Sequence, residues 1–195
     1  GYDCEGNLLI YVGLEAEGGI VFYYDSIGDY GLVAAMDDLT EGSVNSGTVA
    51  NGEVVYGYEW GCDEEYVEGS DDIYIGSGYQ NTMDIINQGC TTENGGLIAA
   101  QAAVDYEYNG YSDWFLPSKN ELIEMANNIG YAVHDNAADF TPVFYWSSSE
   151  EDNSSSWVVS ITNAYNAPFP KNSINQKARA IRTFGNWSEG CIDET

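Results

Sequence analysis

Between Asp37 and Gly96 the chain runs for about a third of its length without a sustained hydrophobic period. The stretch is rich in Gly, Asp, Glu, Asn and Ser. Only short apolar islands interrupt it, Val54-Val55-Tyr56 and Ile73-Tyr74-Ile75. A compact fold rarely carries so long a loop unless the loop is functional or stapled. Two of the four cysteines, Cys62 and Cys90, fall inside it, and Cys4 and Cys191 lie near the ends. An even count in an acidic chain rich in Ser, Asn, Gly and Tyr points to disulfides and an oxidising compartment. No Cys-x-x-Cys or Cys/His cluster offers a zinc site. Four cysteines allow three pairings. A Cys62–Cys90 bridge would staple the polar stretch, and Cys4–Cys191 would tie the termini. Within the stretch, residues 80–87 suit a short helix.

Regular patterns flank this segment on both sides. Leu8–Val12 and Ile20–Tyr24 read as a hairpin, with Gly31–Ala35 a third buried run. Leu97 to Tyr108 is a helix candidate, because Leu97, Ala100, Gln101, Val104 and Tyr108 recur at helical spacing. Ser118 to Ile129 is a second. Ser118 is an N-cap, Glu121 three residues on completes a capping box, and Gly130 stops the helix. Phe144–Ser148, Ser156–Ile161 and Ala178–Phe184 have strand composition. The order is strands, long loop, two helices, strands. It implies an α+β domain with segregated elements spanning 1–195. The core is expected at about 8–185, with 1–7 and 186–195 the edges of flanking Cys-containing repeats. Without an initiating Met or a signal peptide, the chain reads as a piece of a longer exported protein.

Charge excludes whole classes of partner. Asp and Glu total 32 against five Lys and Arg, a net charge of -27. Nucleic acid and anionic membrane surfaces need clustered cations. Membrane insertion needs a long apolar stretch, and the sequence has none. Four of the five cations, Lys171, Lys177, Arg179 and Arg182, share one short stretch and are expected to pair with nearby carboxylates. Calcium is the cofactor such acidic loops suit. Its candidate ligands are Asp63, Glu64, Asp71 and Asp72, set against the plainer reading of a solvated acidic surface. Asn153 to Asn175 is rich in amides and aromatics, which give adaptable contacts. Asn153, Trp157, Tyr165, Asn166, Phe169 and Asn172 are the candidate ligand contacts. His134 is the only histidine and has no patterned partner, so no catalytic residue is expected.

Several blocks resemble a known family. Gly110-Tyr111-Ser112-Asp113-Trp114-Phe115-Leu116-Pro117-Ser118 with Asn120-Glu121-Leu122 is the first. Tyr145-Trp146-Ser147-Ser148-Ser149-Glu150 and Ala178-Arg179-Ala180-Ile181-Arg182 follow. Gly18–Tyr23, Gly31–Ala35, Trp60-Gly61-Cys62 and Gly89-Cys90 add to them. In order and spacing these are similar to the C-terminal domain family of the Legionella collagen-like adhesin, a C-type-lectin-like bacterial surface domain. The resemblance implies two helices on a small twisted, mostly antiparallel sheet, with long loops making ligand contacts outside the cell. Some members bind sulfated glycans, which this acidic chain does not suit. In related diversity-generating-retroelement receptors the varied region corresponds to Glu151–Lys177. Formylglycine-generating enzymes share the fold but use C-terminal cysteines, and here only Cys191 lies there.

The expected function is an extracellular adhesion module that recognises a glycan or surface protein through C-terminal loops. The alternative is a structural subunit of a surface filament, its aromatics facing neighbouring copies in a homo-oligomer. A secreted carbohydrate-active enzyme is a distant third.

Overall fold

The computed structural model describes residues 10–25, 30–133, 136 and 138–185. Cys4, Cys191 and His134 lie outside these residues, so the Cys4–Cys191 pairing does too. The fold is α+β. Its strands are β1 (Glu15–Ala16), β2 (Gly19–Asp25), β3 (Tyr30–Ala34), β4 (Val44–Ala50), β5 (Glu53–Gly57), β6 (Phe144–Asp152), β7 (Ser155–Ser160), β8 (Asn166–Pro170) and β9 (Ile181–Gly185). Three helices stand between β5 and β6: α1 (Gly78–Gln88), α2 (Ala99–Val104) and α3 (Lys119–Ile129). The strands form three antiparallel sheets, ordered β1-β2-β3-β9, β4-β5 and β6-β7-β8.

Strand periodicity explains why the apolar runs lack polar alternation. Ile20 and Phe22 on β2, and Leu32 and Ala34 on β3, pack with α3 residues Leu122, Met125, Ala126 and Ile129. Val21 and Val33, one residue out of phase, join a second core around Trp60, Trp114 and Trp146. On β6 and β7, Tyr145 and Val159 face the α3 core, and Trp146 and Val158 face the tryptophan core. Side chains alternate along a strand, so β2 and β3, and likewise β6 and β7, bury side chains on both faces and their apolar runs lack alternation.

The helix ends follow local chemistry. Ser118 Oγ accepts from Glu121 N, and Glu121 Oε2 accepts from Ser118 N at 2.7 Å, completing the predicted capping box. The helix expected over 97–108 is only six residues long. Ile98 is extended and bridges Glu59, whose carbonyl accepts from Ala99 N at 2.9 Å. Tyr108 and Tyr111 then close a tight turn. A tertiary strand contact therefore takes the first turn from the helix.

The long polar stretch is more ordered than its composition suggests, since β4, β5 and α1 all fall within it. The expected Cys62–Cys90 bridge is present, with S–S 2.11 Å and Cα–Cα 4.7 Å. Gly61 enters it at φ 94°, and a Cβ there would come within 2.7 Å of Ile98 Cγ2. Only glycine suits that combination. The strand expected at 8–12 differs: residues 10–12 are not a strand, and β2 pairs instead with Glu15–Ala16. β9 begins at Ile181, because Ala178 and Ala180 bond to Leu39 and Ala35 outside the ladder. β8 carries Pro168 and Pro170 and lies at a sheet edge, where proline's missing N–H costs no ladder bond. Among the described residues, no helix is long and apolar enough to cross a membrane.

Candidate ligand-binding site

Three segments far apart in sequence meet beside the disulfide. The first is the loop after Trp60. The second is the turn between β6 and β7. Asp152 Oδ1 shapes it by accepting from the backbone amides of Ser154 at 2.9 Å and Ser155 at 2.8 Å, and from both their hydroxyls. The Ser155 hydroxyl and Ser154 amide hold the Asp152 carboxyl below its ordinary range. The third segment is β8 with the two residues that follow it.

Lys171 stands where they join. Its side chain is fully buried, as is that of its ion-pair partner Glu150. The ammonium also donates to the carbonyls of Glu65 at 2.7 Å, Asn153 at 3.1 Å and Cys62 at 3.3 Å. It lies 4.8 Å from the centre of the Trp60 ring. Glu150 accepts from Val67 N with both oxygens at 3.1 Å. Burial pushes the Glu150 carboxyl up, while Lys171 and the Val67 amide pull it down. Glu59, also buried, accepts from the amides of Glu93 and Asn94 and so holds the neighbouring loop.

Above this hub opens a cleft of about 430 Å³. Asp63 and Glu64 form one wall, and Ser154 and Ser155 another. Pro168, Phe169, Pro170 and Asn172 form the third. Asn172 Nδ2 donates to Asp63 Oδ2 at 2.8 Å, and its carbonyl accepts from Asn94 Nδ2 at 3.3 Å. Phe169 is half-buried, its ring 5.3 Å from Phe144.

The structure gathers some predicted site residues and separates others. Phe169, Asn172, Asp63 and Glu64 share the cleft. Asn153 borders it and gives its carbonyl to Lys171. Tyr165, 60% exposed, does not line the cleft, and its ring meets that of Phe144 edge-on at 6.3 Å. Trp157 and Asn166 do not line the cleft; Trp157 pairs with Pro168 and Asn166 with Val159, which puts both on the sheet face opposite Phe169, whose partner is Ser156. The Lys119 ammonium covers the Trp157 ring at 3.5 Å. Asp71 and Asp72 lie in a separate turn, where the Asp72 carbonyl accepts from Asn81 Nδ2 and Ser149 Oγ. Among the described residues, no three His, Cys, Asp or Glu side chains are grouped to hold a metal ion.

Sequence reasoning missed Lys171, Glu150 and Glu59 as organisers, since nothing local marks a charged residue as buried. Ser154 and Ser155 were legible only as part of a polar turn. A larger cleft of about 510 Å³ beside α2, with Asp37, Glu41, Asp105 and Tyr106 in its wall, holds none of the predicted residues.

No family model matches the chain, and no curated protein matches it. Among solved structures it is similar to a fimbrial protein from Bacteroides ovatus, at 15% identity and a TM-score of 0.39. The match covers 80% of this chain and 35% of that one, so the chain spans about a third of that protein's length.

Proposed function

We propose that this chain is an extracellular ligand-binding module of a larger bacterial surface protein, with a C-type-lectin-like framework and no catalytic role. Its ligand is a neutral glycan or an exposed protein loop, held in the cleft between residues 63–64, 154–155 and 168–172. One observation carries this reading: an aromatic ring, an amide, two hydroxyl side chains and two carboxylates converge on one concave surface. Sites for small polar ligands combine an apolar wall with a few placed polar groups. A pyranose presents an apolar face and equatorial hydroxyls to such a wall. The carboxylates repel sulfated and uronic sugars. The Cys62–Cys90 bridge supports an oxidising, extracellular setting.

A glycan array probed with the purified chain tests it. Hits should fall among neutral glycans. Phe169→Ala and Asn172→Ala should each weaken binding by roughly tenfold or more, about 1.4 kcal/mol, the second with melting temperature little changed and the first with a drop, because Phe169 also packs against the tryptophan core. Trp157→Ala should leave binding intact. Binding of sulfated glycans alone, or binding indifferent to Phe169 and Asn172, would count against the cleft.

The β4–β5 hairpin favours a second reading, a subunit that packs against copies of itself in a surface filament. Val49 and Val54 pair across it and are 65% and 47% exposed, with Tyr56 at 48%. From Gly42 to Tyr58 the only charge is Glu53. In so acidic a chain, copies meet there with least repulsion. Sedimentation of Val49→Asp against the parent chain separates the readings, since only the filament subunit loses self-association.

A further inference from the structure

The oxygens around Lys171 Nζ are those that a hard cation takes: the Glu150 carboxylate and the carbonyls of Cys62, Glu65 and Asn153. Here the chain's own ammonium fills that position. An ammonium has three N–H donors, and four acceptors surround this one in a place closed to water. The main chain repeats the pattern. Lys171 N donates to Ser154 O at 3.1 Å, and Lys171 O accepts from Trp60 N at 2.9 Å. Each wall of the cleft is thus within a few residues of one buried charge. Asp63 and Glu64 lie between the Cys62 and Glu65 carbonyls. Ser154 follows the Asn153 carbonyl. Asn172 follows Lys171 itself.

We propose that Lys171 is the resident cation of the recognition loops, a positioning residue that sets the cleft walls so that they are ordered without calcium. This deepens the reading of the cleft as a ligand site and rests on it for function, but loop order can be measured with no ligand present. The acidic loop at Asp63–Glu65 does wrap a cation, and that cation is covalently part of the chain. It cannot be lost to chelators, diluted, or exchanged for another ion. Charge-assisted bonds to a fixed ammonium are also strong, because neither partner can be rehydrated without opening the loops.

Amide hydrogen exchange on the whole chain tests this. In the parent protein, the amides of residues 64–67 and 153–155 should exchange at the same rate in a few millimolar calcium and in excess chelator. That calcium range is the one in which weak extracellular sites fill. Calcium-dependent protection of either loop overturns the proposal. Lys171→Met keeps the apolar stem and removes the charge. It should speed exchange in both loops on the order of a hundredfold, the factor expected when one partner of a buried ion pair is removed. Helix α3 should slow or speed far less. In Lys171→Ala, ammonium or potassium ions should restore part of the protection, and a bulky quaternary ammonium should not. Lost packing alone would not respond to small cations, so absence of rescue in a folded Lys171→Ala protein also overturns it. If both variants fail to fold, the calcium comparison on the parent protein still decides. A failed glycan array with calcium-independent loops would remove the ligand reading and leave Lys171's role standing.

Discussion

The spacing of Ser118 and Glu121 predicts a capping box, and the tertiary structure asks more of Glu121 than that. Its carboxylate is fully buried and accepts from Gly76 N at 2.8 Å as well as from Ser118 N. It therefore joins the start of α3 to the loop that leads into α1. Burial raises its pKa from 4.5 to about 7, against the amides of Ser118 and Gly76, which lower it. In the folded chain Glu121 keeps its proton across a range where the unfolded chain has lost it. Stability should fall as pH rises from about 4.5 to about 7, by at most on the order of 3 kcal/mol. Chemical denaturation at pH 5 and pH 7.5 should show this slope, and Glu121→Gln should flatten it. Asp38 has the opposite sign. Burial would raise its pKa, but Arg179 and Lys177 beside it hold the carboxyl below its ordinary value. Its contribution is present above the ordinary carboxylate pKa and is lost as pH falls through the lowered one.

At the scale of elements, the disulfide has the most to do. It joins the loop after β5 to the end of α1 across a separation of 28 residues. Closing a loop of that size in the unfolded chain is worth about 3–4 kcal/mol in the chain-entropy account. The double variant Cys62→Ala with Cys90→Ala should lose roughly that much in a denaturant melt. Ligand binding should weaken too, since Cys62 and Glu65 give their carbonyls to Lys171. A variant as stable as the parent would mean that the hub alone holds the loop. Legibility differed between elements for physical reasons. α3 carries a cap, an apolar stripe and a glycine stop, all local signals. β4 is polar, with Gly47 at φ 73° beside its irregular pairing, and β8 has two prolines. Both are strands because a neighbour pairs with them, and that pairing leaves no mark on their own composition.

The whole molecule is shaped by its charge. All five cations are engaged within the chain: Lys119 with Trp157, Lys171 with Glu150, Lys177 and Arg179 with Asp38, and Arg182 with Asp113. The outer surface is left strongly anionic, and copies of the chain repel one another. Salt within the Debye range relieves this. The melting temperature should rise by roughly 2–6 °C between low and high sodium chloride, since about 1 kcal/mol shifts a chain of this size by 2–4 °C. Thermal melts in sodium chloride and in an impermeant neutral osmolyte at equal osmolality would separate screening from general exclusion. A flat salt response would show that the carboxylates are too far apart to matter.

From the amino acids alone came the α+β order, the capped α3, the Cys62–Cys90 staple, the anionic surface and two ligand contacts that line the cleft, Phe169 and Asn172, while Asp63 and Glu64 were legible only as candidate calcium ligands. These rest on local spacing, turn chemistry or composition, which a linear chain displays. Tertiary structure alone decided that Trp157 turns away from Phe169, that Asp71 and Asp72 stand apart from Asp63, and that Lys171 is buried at the junction. Each depends on which face of a sheet a residue takes, or on which distant carbonyls close around an ammonium. That is a matter of how far-separated segments pack, and no stretch of sequence carries it.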